Sequence, residues 1–203
     1  MEHDSFLRFQ THLCLKGEKP IYLIQRSINM SSKYRFVKSE GQEDKNACWA
    51  ASLVWWLRAT KLKNVEQWEI MSSDEYSSLW NIPQGGDGTI TEAGLMTIVN
   101  DARWGMSHQK LSPTSQLDPA VMRAHLNFGP VYVGFFDVTR GGNHVNVIYD
   151  INGNEADPQV SVMEPGWVKK KDGTFKGKHV SRRLSYYKNG AAVILASPQF
   201  RLN

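Results

Sequence analysis

"GQEDKNACWAASLVWWLRAT", Gly41 to Thr60, is where a polar stretch turns into an apolar helical pattern, and Cys48 stands at the junction. Ala47, Ala50, Ala51, Val54, Trp55 and Arg58 recur at spacings of three and four, as on one face of a helix. Ala and Leu are good helix formers, and Asn46 is the expected cap. A cysteine at a helix N-terminus faces the positive end of the helix dipole, which favours a thiolate. A cysteine buried only for packing has no need of that position but can occupy it by chance. Gln42, six residues upstream, is either an ordinary loop residue or a side-chain amide able to help hold an oxyanion with the Cys48 backbone N–H.

Outward from this stretch, the chain divides by character. Residues 1–40 read as an arm, with "KPIYLIQRSI" as a strand, and residues 41–203 as one domain. Helices are expected over Ser72–Trp80, over Thr91–Ala102 with a Thr cap, and over Ser115–Gly129, with Asp118 before Pro119 at its start. Pro83–Thr89 is a glycine-rich loop. After Gly129 the pattern changes to strands: Pro130–Phe136, His144–Ile151, Gln159–Glu164 and Gly190–Ser197, with Asn152–Pro158 as a turn. Helices first and antiparallel strands second make an α+β fold. In it a helical half carrying Cys48 packs on a sheet half, with a cleft between them.

Composition sets the outer bounds. The chain has 203 residues, 41% hydrophobic and 22% charged, which suits one compact domain with a short arm. Seven Trp and 11% aromatic residues argue against a disordered chain. The net charge of +4 is that of a basic protein. Its best cluster, Lys169-Lys170-Lys171 with Lys176 and Lys178 nearby, reads as a solvated loop or hairpin rather than a nucleic-acid surface. The two cysteines, Cys14 and Cys48, are too few for a disulfide framework and lack zinc spacing, so neither metal nor cofactor is expected. The N-terminus has no apolar signal stretch, and no apolar run reaches the roughly 18 residues of a membrane helix, so no membrane partner is expected.

Of six histidines, His144 alone follows a glycine pair and opens an alternating strand. The other five read as arm or surface residues. A catalytic His needs a third group to fix its tautomer. Glu164 lies 20 residues on, at the end of the returning strand, and is preferred. Asp157 is the fallback, nearer in sequence but in the turn and aimed away. Asn146 shares the strand face of His144 but would point beside it.

In this order, Gln42, then "Cys48-Trp49-Ala50-Ala51", then "Gly129-Pro130-Val131", then "Asn143-His144-Val145", then an acid before a proline, the chain resembles the papain-like cysteine peptidases over roughly residues 40–168. The nearest branches are the leader peptidases of bacteriocin exporters and the peptidase effectors and toxins that bacteria inject into other cells. The resemblance implies Cys48 as nucleophile, His144 as base, Glu164 as its orienting acid and Gln42 at the oxyanion hole. Glu164 departs from the Asn or Asp usual there. The arm and residues 169–203 are not explained by it.

The expected activity is therefore cleavage of a protein in a target cell, with amidase, deamidase or transglutaminase chemistry on the same residues as the alternative and a non-enzymatic binding module as the third reading. A small peptidase without a long pro-segment endangers its own cytosol. That favours a bacterial product made in the cytoplasm, delivered by a secretion system into a bacterial or eukaryotic target, and held in check by a small acidic immunity protein.

Overall fold

The computed structural model describes residues 31–60, 63–72, 74 and 90–199. The expected strand in the arm, most of the expected 72–80 helix and the glycine-rich loop lie outside the described residues. Among the described residues there are five α-helices: α1 (Ser31–Tyr34), α2 (Cys48–Thr60), α3 (Gln67–Ser72), α4 (Glu92–Val99) and α5 (Pro119–Leu126). Six strands, β1 (Met106–Leu111), β2 (Val131–Asp137), β3 (Gly142–Asn152), β4 (Gln159–Lys169), β5 (Phe175–Arg183) and β6 (Val193–Pro198), form one sheet in the order β1-β6-β2-β3-β4-β5. All its pairings are antiparallel, so the chain is a mixed helix and antiparallel-sheet protein.

The helix that carries Cys48 is more deeply placed than its periodicity suggests. Every residue from Cys48 to Leu57 is buried, so α2 is apolar all round rather than on one stripe. One side rests on the sheet: Ser52 Oγ donates to Val145 O at 3.1 Å and Trp56 Nε1 to Pro130 O at 2.7 Å. Tyr34, Val65 and Ile70 complete the same hydrophobic cluster. The α2 cap differs from expectation. Ala51 N donates to Ala47 O, so Ala47 is the cap residue, while Asn46 turns its N–H to Asp44 Oδ1. Ala47 has no side-chain acceptor to spend on the first turn.

On β3 the alternation the sequence implies holds as far as Tyr149, and a register shift between Ile148 and Asp150 then places Ile151 on the same side as Ile148. Val145, Val147 and Tyr149 face the α2 cluster, and Ile148 faces a second cluster with Val133, Phe135 and Tyr187. Helices α4 and α5 start where expected, capped by Thr91 and by Asp118 with Pro119 in the first turn. The unforeseen strands, β1 and β5, are the two edges of the sheet. Their sequences, "MSHQKL" and "FKGKHVSRR", are mostly polar because only one side is covered, and edge lysines discourage pairing with other chains. The expected lysine-rich hairpin is the β4–β5 turn.

Residues 31–40 are not a separate arm. Tyr34 is 6% exposed within the α2 cluster, and Glu40 pairs with Arg58 at 3.0 Å. His179 Nε2 donates to Val37 O at 2.8 Å. A boundary at residue 40 therefore cuts through packed structure.

The β4–β5 pairing is interrupted between Glu164 and Val168. Pro165 has no N–H to give a ladder, and the break admits the segment before α2. Gln42 N donates to Pro165 O at 3.2 Å, and Phe175 N donates to Gln42 O at 2.9 Å. Backbones crowd here: a Cβ on Gly177 would collide with the Glu40 carbonyl. Gln67 of α3 locks the segment from outside, donating to Glu40 Oε1 and Gly41 O and accepting from Glu43 N.

Candidate active site

Three elements converge at the break in β4. The N-terminus of α2 brings Cys48, the start of β3 brings His144, and the end of the regular part of β4 brings Glu164. All three are interior, at 4%, 2% and 0% exposure. His144 Nε2 lies 2.6 Å from Glu164 Oε1, and Cys48 is the imidazole's other electrostatic partner. Nε2 is taken by the carboxylate, which leaves Nδ1 for the thiol. The rings of Phe135 and His144 meet edge to face at 5.7 Å, steadying the imidazole from across the strand pair.

A carboxylate with no exposure is costly unless it is paired. Glu164 is paired on both oxygens. Besides His144, Oε1 takes Gly166 N and Arg140 Nη2, both at 3.2 Å. Oε2 takes Arg182 Nη2 at 2.9 Å and Asn146 Nδ2 at 3.4 Å. Tyr187 in turn holds Asn146 at 3.2 Å. Asn146 therefore lies beside His144 as its strand position implies, and supports the acid rather than the imidazole.

The electrostatics follow from these contacts. Burial alone would push the Glu164 carboxyl up; the charge and hydrogen bond of His144, then Arg182 and Arg140, outweigh it and bring it down to about 2. Burial alone would push His144 down; the Glu164 carboxylate, then Cys48, outweigh it and lift the imidazole to about 9. A raised histidine stabilises the fold fully below its unfolded value near 6.5. That contribution is lost as pH rises toward about 9.

The other expected residues are placed as follows. Gln42 is 1% exposed, and its Nε2 donates to Asp44 O at 2.7 Å, within the loop that leads to Cys48. Its Oε1 is buried without a hydrogen-bond partner. Asp157 is not at the site. Its carboxylate accepts from Ser185 N and Oγ, beyond the far end of β3. From His144 to that end is eight residues, or about 26 Å. The fold does not bring it together with His144.

The two arginines were missed. Glu164 ends an apolar strand, "VSVME", and a buried acid there requires cations on adjacent elements. That requirement was a usable signal: "TRGG" before β3 and "SRR" at the end of β5 were the places to look. Among the described residues, no group of three or more His, Cys, Asp or Glu side chains is placed to hold a metal ion, and no helix is long and apolar enough to cross a membrane.

No protein-family model matches the chain, and no curated protein matches it. Among solved structures the chain is similar to UfSP from C. elegans, at 12% identity and a TM-score of 0.48. That match covers 81% of this chain and 34% of the other, so the chain spans about a third of that protein's length.

Proposed function

We propose that the chain is a papain-like thiol hydrolase, with cleavage of a protein's peptide bonds as its reaction. The observation that carries this reading is the convergence of Cys48 on His144, which is bonded in turn to a fully buried, doubly paired Glu164. A histidine kept for packing needs no carboxylate of this kind behind it.

The steps follow from the atoms. The imidazole takes the Cys48 proton, giving thiolate beside imidazolium. The thiolate attacks the carbonyl carbon and a C–S bond forms. The oxygen of the tetrahedral intermediate is held by the Cys48 backbone N–H and by the Gln42 amide, which leaves Asp44 O to do so. The imidazolium then gives its proton to the leaving amine as the C–N bond breaks. Water, deprotonated by His144, releases the acid product and regenerates the thiol.

Two outcomes are expected from this scheme. Turnover should fall at alkaline pH as the imidazolium is lost, with a limb near the His144 value of about 9. A rate that stays flat through that range would contradict His144 as the proton donor. Gln42→Ala should cost about a hundredfold in kcat with little change in KM, the effect of losing one oxyanion donor. A defect confined to KM would instead make Gln42 a binding residue.

The target in another cell, and a small acidic immunity protein drawn to the +4 chain, belong to the same proposal. The test is to incubate wild type and Cys48→Ala with cell lysates and compare new protein N-termini by mass spectrometry. New N-termini only with wild type support peptidase action. Ammonia release without them transfers the same residues to deamidation.

A further inference from the structure

Glu164 is neutralised by two arginines that differ in kind. Arg182 is 14% exposed, lies 4.2 Å over the Tyr186 ring and holds Oε2. It is packed into the fold. Arg140 is 34% exposed and sits in the turn between β2 and β3, and it holds Oε1, the same oxygen that receives His144. We propose that Arg140 is a positioning residue, which keeps the Glu164 carboxylate charged and aimed at His144 and so sets the acid limit of Cys48 reactivity. This rests on the thiol hydrolase reading.

The turn is built to present that guanidinium. Asp137 accepts from Thr139 N and Oγ1, and its carbonyl accepts from Arg140 N and Gly141 N. Gly141 has φ +69°, a conformation glycine adopts freely. Arg140 then spans three acceptors. Nε donates to Asp137 Oδ2 at 3.2 Å, and Nη2 donates to Glu164 Oε1 at 3.2 Å and to Gly166 O at 2.7 Å. Gly166 leaves the room: a Cβ there would meet Arg140 Nη1 at 2.9 Å and Gln42 Oε1 at 2.7 Å. The guanidinium and the Gln42 amide thus pack against one bare glycine. The residue that fixes the acid also abuts the loop that leads to Cys48.

Arg140 is one of the cations that balance the acids of this cluster. Asp137 and Glu164 face Arg140 and Arg182, two against two, and His144 with Cys48 forms the remaining pair. Tyr186 and Tyr187 face the cluster as neutral groups, and Lys178 is the cross-strand neighbour of Glu164 on β5. Without Arg140, two carboxylates face one arginine. Glu164 then accepts a proton at higher pH and no longer holds the imidazolium beside Cys48.

The test reads Cys48 itself and needs no substrate. The full chain is treated with iodoacetamide between about pH 3 and 10, and alkylation of Cys48 is followed by site-resolved mass spectrometry, with circular dichroism confirming the fold at each pH. For Arg140→Gln, which keeps a polar side chain but no charge, the acid midpoint of alkylation should rise by about one pH unit. For Arg140→Lys it should stay at the wild-type position. If both variants keep the wild-type midpoint and lose only thermal stability, Arg140 is merely structural and the proposal is overturned. If both shift together, its charge is not the cause, and the proposal also falls. A wild type that alkylates like an ordinary thiol would sink the thiol hydrolase reading beneath it, a separate failure visible before any variant is made.

Discussion

Cys48→Ala is expected to lower turnover by roughly 10⁴- to 10⁶-fold, the scale seen when a covalent nucleophile is removed. The fold should survive. Cys48 is buried at the first turn of α2, where alanine suits a helix and removes only one heavy atom from the cluster. His144→Ala should cost about as much, because in the proposed scheme the two side chains serve one proton transfer. The double variant should therefore be little worse than either single one, a non-additivity that unrelated residues would not show. The measurement is kcat for the three variants beside their melting temperatures. If Cys48→Ala kept activity within tenfold of wild type while folded, the nucleophile would lie elsewhere and the site would be a structural network only.

Much of this arrangement was legible because the signals were local. The change from polar to apolar residues at Ala47 gave the start of α2, and Thr91 and Asp118-Pro119 gave the starts of α4 and α5. The alternation after His144 gave β3 and its faces. The illegible parts depend on neighbours distant in sequence. That α2 is buried on all sides is decided by the sheet, α3 and Tyr34 together, which no window of α2 contains. Edge strands β1 and β5 carry too few apolar residues to announce themselves, since pairing holds them more than burial does. The placement of Glu164 beside His144 follows from the β3–β4 hairpin, whose register is guessable from a turn. The arginine partners come from a different turn and from the outermost strand, and only the folded sheet brings them to one carboxylate.

Replacing Glu164 should affect stability and rate in different orders, and the network explains why. Glu164→Ala leaves Arg182 largely buried with no anion and takes a hydrogen-bond partner from His144, Gly166 and Asn146. Breaking a buried pair from one side costs roughly 3–5 kcal/mol, a fall in Tm on the order of 10 °C for a domain this size. Rate should also fall, by about 10³-fold, yet not vanish, since a poorly oriented imidazole still transfers protons. Glu164→Asp keeps the charge but is one methylene short of holding His144 and both arginines, so it should be the most stable variant with a clear rate defect. Glu164→Gln keeps the reach but not the charge, and should show the converse. Glu164→Asn loses both and should rank with alanine, although asparagine at this point would look conservative beside the papain-like pattern. The pH dependence identifies the cause. A carboxyl lowered to about 2 stabilises the fold fully above its unfolded value of about 4.5 and loses that contribution as pH falls toward 2. The Tm gap between wild type and Glu164→Gln should therefore be widest between pH about 4.5 and 6.5, narrow at alkaline pH as His144 loses its charge, and close as the solution is acidified. A gap that stays open at the acid end would mean that the glutamine fails for steric reasons, and that the charge of Glu164 is not what holds this part of the sheet.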